Sequence, residues 1–233
     1  MKKILLLLLL STVGLFSAQA QVQNFNVGDV CPDFSVTDVN GVTHKLYDIT
    51  ASGQYVIIDF FFTTCGPCQQ MAPIFSELHE KYGCNGGKLF CISIDTGYDD
   101  ADVVAFENNY GGPSAHAPAV SGNQGGGNAV INTMNVQAFP TFAMIGPDNK
   151  IISTDIWPIS NVASFESEFP ANSGITPMAC SAVNVDPSSE QMPLSIYPNP
   201  TSQRAQLSMD FNSMEPAVVE VFDLAGQKDM EQG

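Results

Sequence analysis

Tyr55 to Pro73 reads YVIIDFFFTTCGPCQQMAP, and this stretch constrains the fold more than any other. Val56 to Phe62 is apolar on both sides of a pleat, the pattern of a strand covered on both faces. It ends at Thr63-Thr64 and delivers Cys65-Gly66-Pro67-Cys68. Behind the second cysteine, Met71, Ile74, Phe75 and Leu78 recur at the three- and four-residue steps of one helix face. A C-x-x-C therefore sits where a buried strand passes into a helix N-terminus. The first helical N–H groups are unpaired there and the helix dipole is positive, so a Cys65 thiolate is stabilised. Pro67 suits the first turn, where its missing N–H costs nothing. A static disulfide or half of a zinc site has the same spacing. Zinc needs a second ligand pair, and no second C-x-x-C or H-x-x-x-H occurs, so no metal site is assigned.

The neighbouring segments extend the pattern. Lys88 to Asp95, KLFCISID, is a second apolar strand, which predicts a parallel strand–helix–strand unit. Asp99 to Tyr110 predicts a helix with Val103, Val104 and Phe106 inward. Gly111 to Gly127, rich in Gly, Pro, Ser and Asn, predicts a mobile loop, and Asn128 to Met134 a short helix. Thr141 to Ile145 and Lys150 to Asp155 predict a hairpin across Gly146-Pro147-Asp148-Asn149, followed by a closing helix over Ile159 to Phe169. Near the start, Asn40-Gly41 is a hairpin turn between short alternating segments.

These residues resemble the thioredoxin superfamily, and within it the TlpA/ResA-like thiol–disulfide oxidoreductases. Gly28, Pro32, Asp33 and Phe34 match the G-x-x-x-P-D-F lead-in of TlpA-like and peroxiredoxin-like proteins. The resemblance runs from about Gly28 to Phe169, and the long gap between the C-x-x-C and Pro140 fits this group. It implies an α/β thioredoxin-like fold: a central mixed sheet flanked by helices, preceded by an N-terminal hairpin. It also implies that Cys65 attacks and Cys68 resolves, with the redox disulfide between them. Pro140 resembles the proline that is cis and faces the C-x-x-C, leaving the preceding backbone free to pair with an extended peptide. Phe139, Pro140, Thr141, Gly66 and Pro67 are then the substrate-binding residues. Pro73 matches a helix-kinking proline of the TlpA-like group.

Asp59 is the odd residue in the apolar strand. Burial of its carboxylate raises the pKa. It resembles the buried Asp that thioredoxins place behind the resolving cysteine, which implies that it accepts the Cys68 proton. Thr64 stands where the family often has Trp, and the chain's only Trp is Trp157. The Gly66-Pro67 dipeptide matches ordinary thioredoxin, whose potential is about −270 mV against about −120 mV for DsbA, so a reducing or exchange poise is expected.

Composition sets the compartment and excludes some partners. Hydrophobic residues make up 44% of the 233, enough for a core. A formal net charge of −16 argues against nucleic acid or an anionic membrane surface. Met1 to Ala20 reads as a signal peptide, with Lys2-Lys3, an apolar run and Ala18-Gln19-Ala20 at the cleavage site. After cleavage no membrane span is expected. All six cysteines follow it, so disulfides are permitted. Cys84 and Cys91 flank Gly86-Gly87 and are candidates for a structural disulfide; Cys31 and Cys180 are a second candidate pair. Six cysteines allow about 15 connectivities, and the pairing stays open.

The expected organisation is a signal peptide at 1–20, a thioredoxin-like domain at 21–170, a Ser/Pro/Asn-rich linker at 171–193 and a tail at 194–233. The tail carries Tyr197-Pro198-Asn199-Pro200-Thr201 and then Val219 to Gly226, VEVFDLAG. It resembles the type A C-terminal sorting domain of the type IX secretion system. That domain continues past the Gly, so the tail ending at Gly233 is expected to be partial. The resemblance implies export, with secretion machinery as a partner. The expected function is disulfide exchange with protein thiols or disulfides, an unknown electron donor or acceptor, and no cofactor. Two alternatives share the fold. A peroxiredoxin-type peroxidase lacks its Pro-x-x-x-Thr-x-x-Cys here. A copper-binding module has only His116 as a distal ligand, and His116 and His44 read first as solvated residues.

Overall fold

The computed structural model describes residues 22–180 and, beyond them, the two strands at 195–197 and 206–208. The signal peptide, most of the linker and the VEVFDLAG motif lie outside the described residues. The chain divides into two units, Met1–Ser181 and Ala182–Gly233.

In the first unit a hairpin forms from β1 (Ser35–Thr37) and β2 (Thr43–Lys45), turning at Gly41 with φ +81. Helix α1 (Leu46–Ala51) follows directly; its Leu46 and Thr50 face inward, and the short run left no periodic signal in the sequence. Then come β3 (Tyr55–Phe61), α2 (Gly66–Lys81), β4 (Leu89–Asp95) and α3 (Asp100–Tyr110). After them lie β5 (Ala119–Val120), α4 (Gly127–Met134), β6 (Thr141–Ile145), β7 (Ile151–Ser153) and α5 (Val162–Glu166). The sheet order is β5-β4-β3-β6-β7. β3 pairs parallel with β4 and antiparallel with β6, so the sheet is mixed and its most apolar strand is central.

Both faces of that strand are covered. Val56, Ile58 and Phe60 pack with Leu46, Val130, Ile131 and Met134 on one side. Ile57 packs with Phe75, Leu78, Phe142 and Phe165 on the other, where the last ring meets Phe142 at a 5.0 Å centroid distance. Phe61 continues this second face toward Cys65, Cys68, Val103 and Phe106. Each such side chain, fully buried, contributes about 1.5–3 kcal/mol. α2 runs through Pro73 to Lys81.

Several sequence expectations are corrected. On α3, Val103 and Phe106 face inward as expected, but Val104 is 40% exposed. The Gly-rich stretch from Gly111 to Gly127 carries β5, which pairs with Ser93 and Ile94 of β4. The buried Asp95 carboxylate holds it further, accepting from the Gly122 N–H at 3.1 Å. Composition registers the glycines but not this two-residue apolar pair. The closing helix is only five residues long, started by Asn161, whose side chain accepts from the Ala163 N–H. Cys84 pairs with Cys180, not Cys91. Cys91 points into the core from β4, while the Asn85 side chain bonds its N–H at 2.7 Å and its carbonyl at 3.0 Å. A side-chain amide thus joins the turn to β4, and no Cys84–Cys91 bridge exists. Nor is Cys31 bonded to Cys180: it is free and wholly buried in the other core face, 3.9 Å from the Met134 sulfur. Burial pushes its thiol up to about 12.

The Cys84–Cys180 bond spans 96 positions and returns the chain to the end of α2. Met178 donates its N–H to the Lys81 carbonyl at 3.0 Å. A Cβ at Gly83 or Gly87 would lie 2.4 or 2.8 Å from Met178; Gly83 also has φ +86, and a Cβ at Gly87 would lie 2.9 Å from the Tyr82 carbonyl, so both positions favour glycine. In the second unit, β8 (Ser195–Tyr197) pairs antiparallel with β9 (Gln206–Ser208).

Candidate active site

β3 ends at Phe61, and the four residues that follow turn the chain into α2. Cys65 is the N-cap of that helix, with extended backbone, and its sulfur accepts the Cys68 N–H at 3.1 Å. Cys65 and Cys68 form a disulfide with a Cα–Cα distance of 5.2 Å. Both are almost fully buried, at 4% and 3% exposure, while Gly66 and Pro67 between them are exposed. On reduction, the N–H that reaches the Cys65 sulfur and the helix dipole both favour its thiolate. The turn is braced by Gln69, which donates to the Thr63 carbonyl at 3.0 Å, and by a 2.8 Å contact between the Thr64 and Tyr98 hydroxyls.

The Phe139–Pro140 peptide is cis, and the Phe139 carbonyl oxygen lies 3.8 Å from the Cys65 sulfur. The Phe139 ring meets Phe62 edge to face at 5.4 Å. The structure thus brings Cys65, Phe139 and Pro140 to one end of the sheet. Thr141 is different: it is wholly buried and its hydroxyl donates to the Ala138 carbonyl at 2.8 Å. Its side chain holds the loop and offers no surface to a substrate.

Asp59 lies between Ser93 of β4 and Phe142 of β6. The alternation of β3 puts its side chain on the face shared with Phe61, the face that α2 and Cys68 cover. It is 5% exposed; Oδ2 accepts from the Ser93 hydroxyl at 3.4 Å and Oδ1 has no partner among the described residues. Burial, reinforced by the Glu107 charge, holds its carboxyl well above the usual range, and the Ser93 bond offsets this only in part.

Other titratable groups line a neighbouring cleft, and of them the sequence had singled out only His116 and His44. Glu107 on α3 is pushed up to about 7 by burial, with His116 opposing the shift. His116 is not simply solvated: its Nδ1 lies 3.4 Å from Glu107 Oε2. His44 is also held, with Nε2 2.8 Å from Asp38 Oδ2. His79 faces inward from α2 against Asn85, and burial lowers it to about 4. The signal for His79 was its place four residues after Phe75, on the same face of α2. Among the described residues no group of three or more acidic, His or Cys side chains is placed to hold a metal. No described helix is long and apolar enough to cross a membrane.

Residues 27–154 match the AhpC/TSA family. The thiol-disulfide oxidoreductase ResA of Bacillus anthracis is 32% identical over 152 residues, covering 64% of this chain and 82% of that protein. ResA of Geobacillus kaustophilus is 29% identical over 157 residues, covering 65% and 83%. Among solved structures, the thioredoxin domain of a thiol-disulfide oxidoreductase from Bacteroides vulgatus superposes with a TM-score of 0.51 at 19% identity, covering 61% of this chain and 97% of that one. A putative thiol:disulfide interchange protein DsbE from Chlorobium tepidum gives 0.51 at 22%, covering 61% and 94%. The structural likenesses show the thioredoxin-like fold.

Proposed function

The chain belongs to the AhpC/TSA family and is a thiol–disulfide oxidoreductase of the thioredoxin superfamily, and from that premise we propose that it exchanges disulfides with protein substrates outside the cytoplasm. The reading rests above all on one observation: the Cys65 sulfur caps α2 beneath the Cys68 N–H and opposite the Phe139 carbonyl.

In the reduced protein the Cys65 thiolate attacks a substrate disulfide. One substrate sulfur leaves as thiolate and a Cys65–substrate bond forms. Cys68 then attacks Cys65, its proton passes to Asp59, the Cys65–Cys68 bond closes and the second substrate thiolate departs. An extended peptide pairs with the backbone at Phe139, with Gly66, Pro67 and Pro140 beside it. The same steps in reverse oxidise a dithiol.

Export follows from the signal peptide and the type IX-like tail, with passage through the periplasm to the cell surface or medium. A reductase there needs an electron donor that reaches it; exchange or oxidation needs none from the cytoplasm. A trapping experiment checks the chemistry. Cys68→Ser should accumulate a substrate bound through Cys65, visible as a band released by reductant. Cys65→Ser should accumulate none. An equal yield from both variants would remove the assigned roles.

A further inference from the structure

The proton that Asp59 takes from Cys68 must leave before the next turnover, and Asp59 itself is sealed from solvent. Its Oδ2 is bound to Ser93, so Oδ1 is the oxygen left to pass a proton on. The neighbouring residue with a carboxylate is Glu107, whose α3 neighbour Phe106 packs on Phe61 at a 4.7 Å centroid distance. Glu107 is 14% exposed and His116 28%, so the contact between them runs from interior to surface. It opens into a cleft of about 460 Å³ whose lining includes His79, Glu107, Asn108, His116 and Ala119. Ala119 lies in register with Ser93, the residue that binds Asp59, which places this cleft beside the Asp59 strand pair.

The His116 ring is seated, not free. A Cβ at Gly111 would lie 2.5 Å from His116 Nε2 and 2.6 Å from Cε1, so the imidazole occupies the space a side chain would need. Its Nε2 lies 3.2 Å from the Gly112 carbonyl. A carbonyl only accepts, so Nε2 carries the hydrogen and Nδ1 is left as the acceptor facing Glu107. The loop is tied to the active-site helix by the Ala115 N–H, which donates to Glu80 of α2 at 2.8 Å.

We propose that Glu107 and His116 carry the proton taken up by Asp59 out to the cleft. The proposal rests on the Asp59 role given above. Asp59 releases its proton to the Glu107 carboxylate, His116 Nδ1 accepts it from Glu107, and the imidazolium loses a proton to water. No electrons move in these steps, and each carboxylate returns to its charged form. The charged and titratable groups around the pair are Asp59 on β3, His79 and Glu80 on α2, and, elsewhere on the cleft lining, Asp38 and His44 of the hairpin. Two carboxylates that sense each other resist ionising together, so Glu107 also keeps Asp59 a willing acceptor.

The test follows the reduced full chain reacting with dithiobis-nitrobenzoate, which releases one chromophore as Cys65 attacks and a second as Cys68 resolves. Asp59→Asn, Glu107→Gln and His116→Asn are compared across pH, with thermal midpoints recorded. The expected result is an unchanged first phase in all three. The second phase needs an Asp59 that has already shed its proton, and the raised carboxyl holds one until the exit takes it, so this phase slows about tenfold in Glu107→Gln, below the ~10²–10⁴ of direct proton transfer. Its rising limb moves to lower pH, because removing the Glu107 charge lowers the Asp59 pKa. Added imidazole restores the second phase in His116→Asn, which a purely structural role does not allow. If Asp59→Asn is slow while both other variants match wild type, the exit is wrong and the Asp59 role stands. If Asp59→Asn also matches wild type, both fall.

Discussion

Asp59 carries a cost that can be measured apart from turnover. Its carboxyl is raised in the folded state, so folding favours the protonated form. That stability is fully present below the unfolded carboxyl value of about 3.9 and is lost as pH rises through the folded value. Asp59→Asn removes the titration. Its thermal midpoint should exceed that of wild type by at least about 2 °C at pH 8, and the gap should close toward pH 4. A gap that widens toward acid would contradict the burial argument. Asp59 is legible in the sequence because a carboxylate interrupts an apolar run of VIIDFFF. Glu107 is not, because it falls among Asp102, Asn108 and Asn109 in a helix with little apolar pattern. Only the fold, by setting it against His116, marks it out. Thr141 shows the same limit: the sequence puts it beside the proline that is cis, and only the fold shows that it is wholly buried.

At the scale of elements, β3 and α2 were readable because their periods are long and consistent, and they set the position of Cys65. Short elements escaped. α1 has six residues and β5 two, and both are held by tertiary contacts more than by local pattern. Disulfide pairing escaped as well, since spacing around Gly86-Gly87 says nothing of the direction in which Cys91 points. The observed Cys84–Cys180 bond closes a loop of 96 positions and fastens the segment after Phe169 to α2. Removal of such a bond costs about 2–5 kcal/mol. The Cys84→Ser, Cys180→Ser double variant should therefore unfold at a lower denaturant midpoint, while its second-order rate with a disulfide substrate stays close to wild type. Loss of activity at full folding would make this bond part of the redox relay and not a staple.

Across the whole molecule, the formal charge of −16 argues against nucleic acid as a partner, while work away from the cytoplasmic electron supply belongs to the export proposal. The thioredoxin-like domain is where sequence and structure agree most closely, because the central strand, the C-x-x-C turn and the proline-bearing strand β6 meet in one sheet. The tail motifs beyond Ser208 lie outside the described residues, so the export reading rests on the sequence. The central claim is that Cys65 and Cys68 are a working redox pair. The most direct test equilibrates the full chain in glutathione or dithiothreitol buffers and counts thiols by mass after alkylation. The account expects one reversible two-electron couple, nearer to about −270 mV than to about −120 mV. It should vanish in Cys65→Ser and in Cys68→Ser and persist in the Cys84→Ser, Cys180→Ser variant. A couple that follows Cys84–Cys180 instead, or no reversible couple at all, would contradict it.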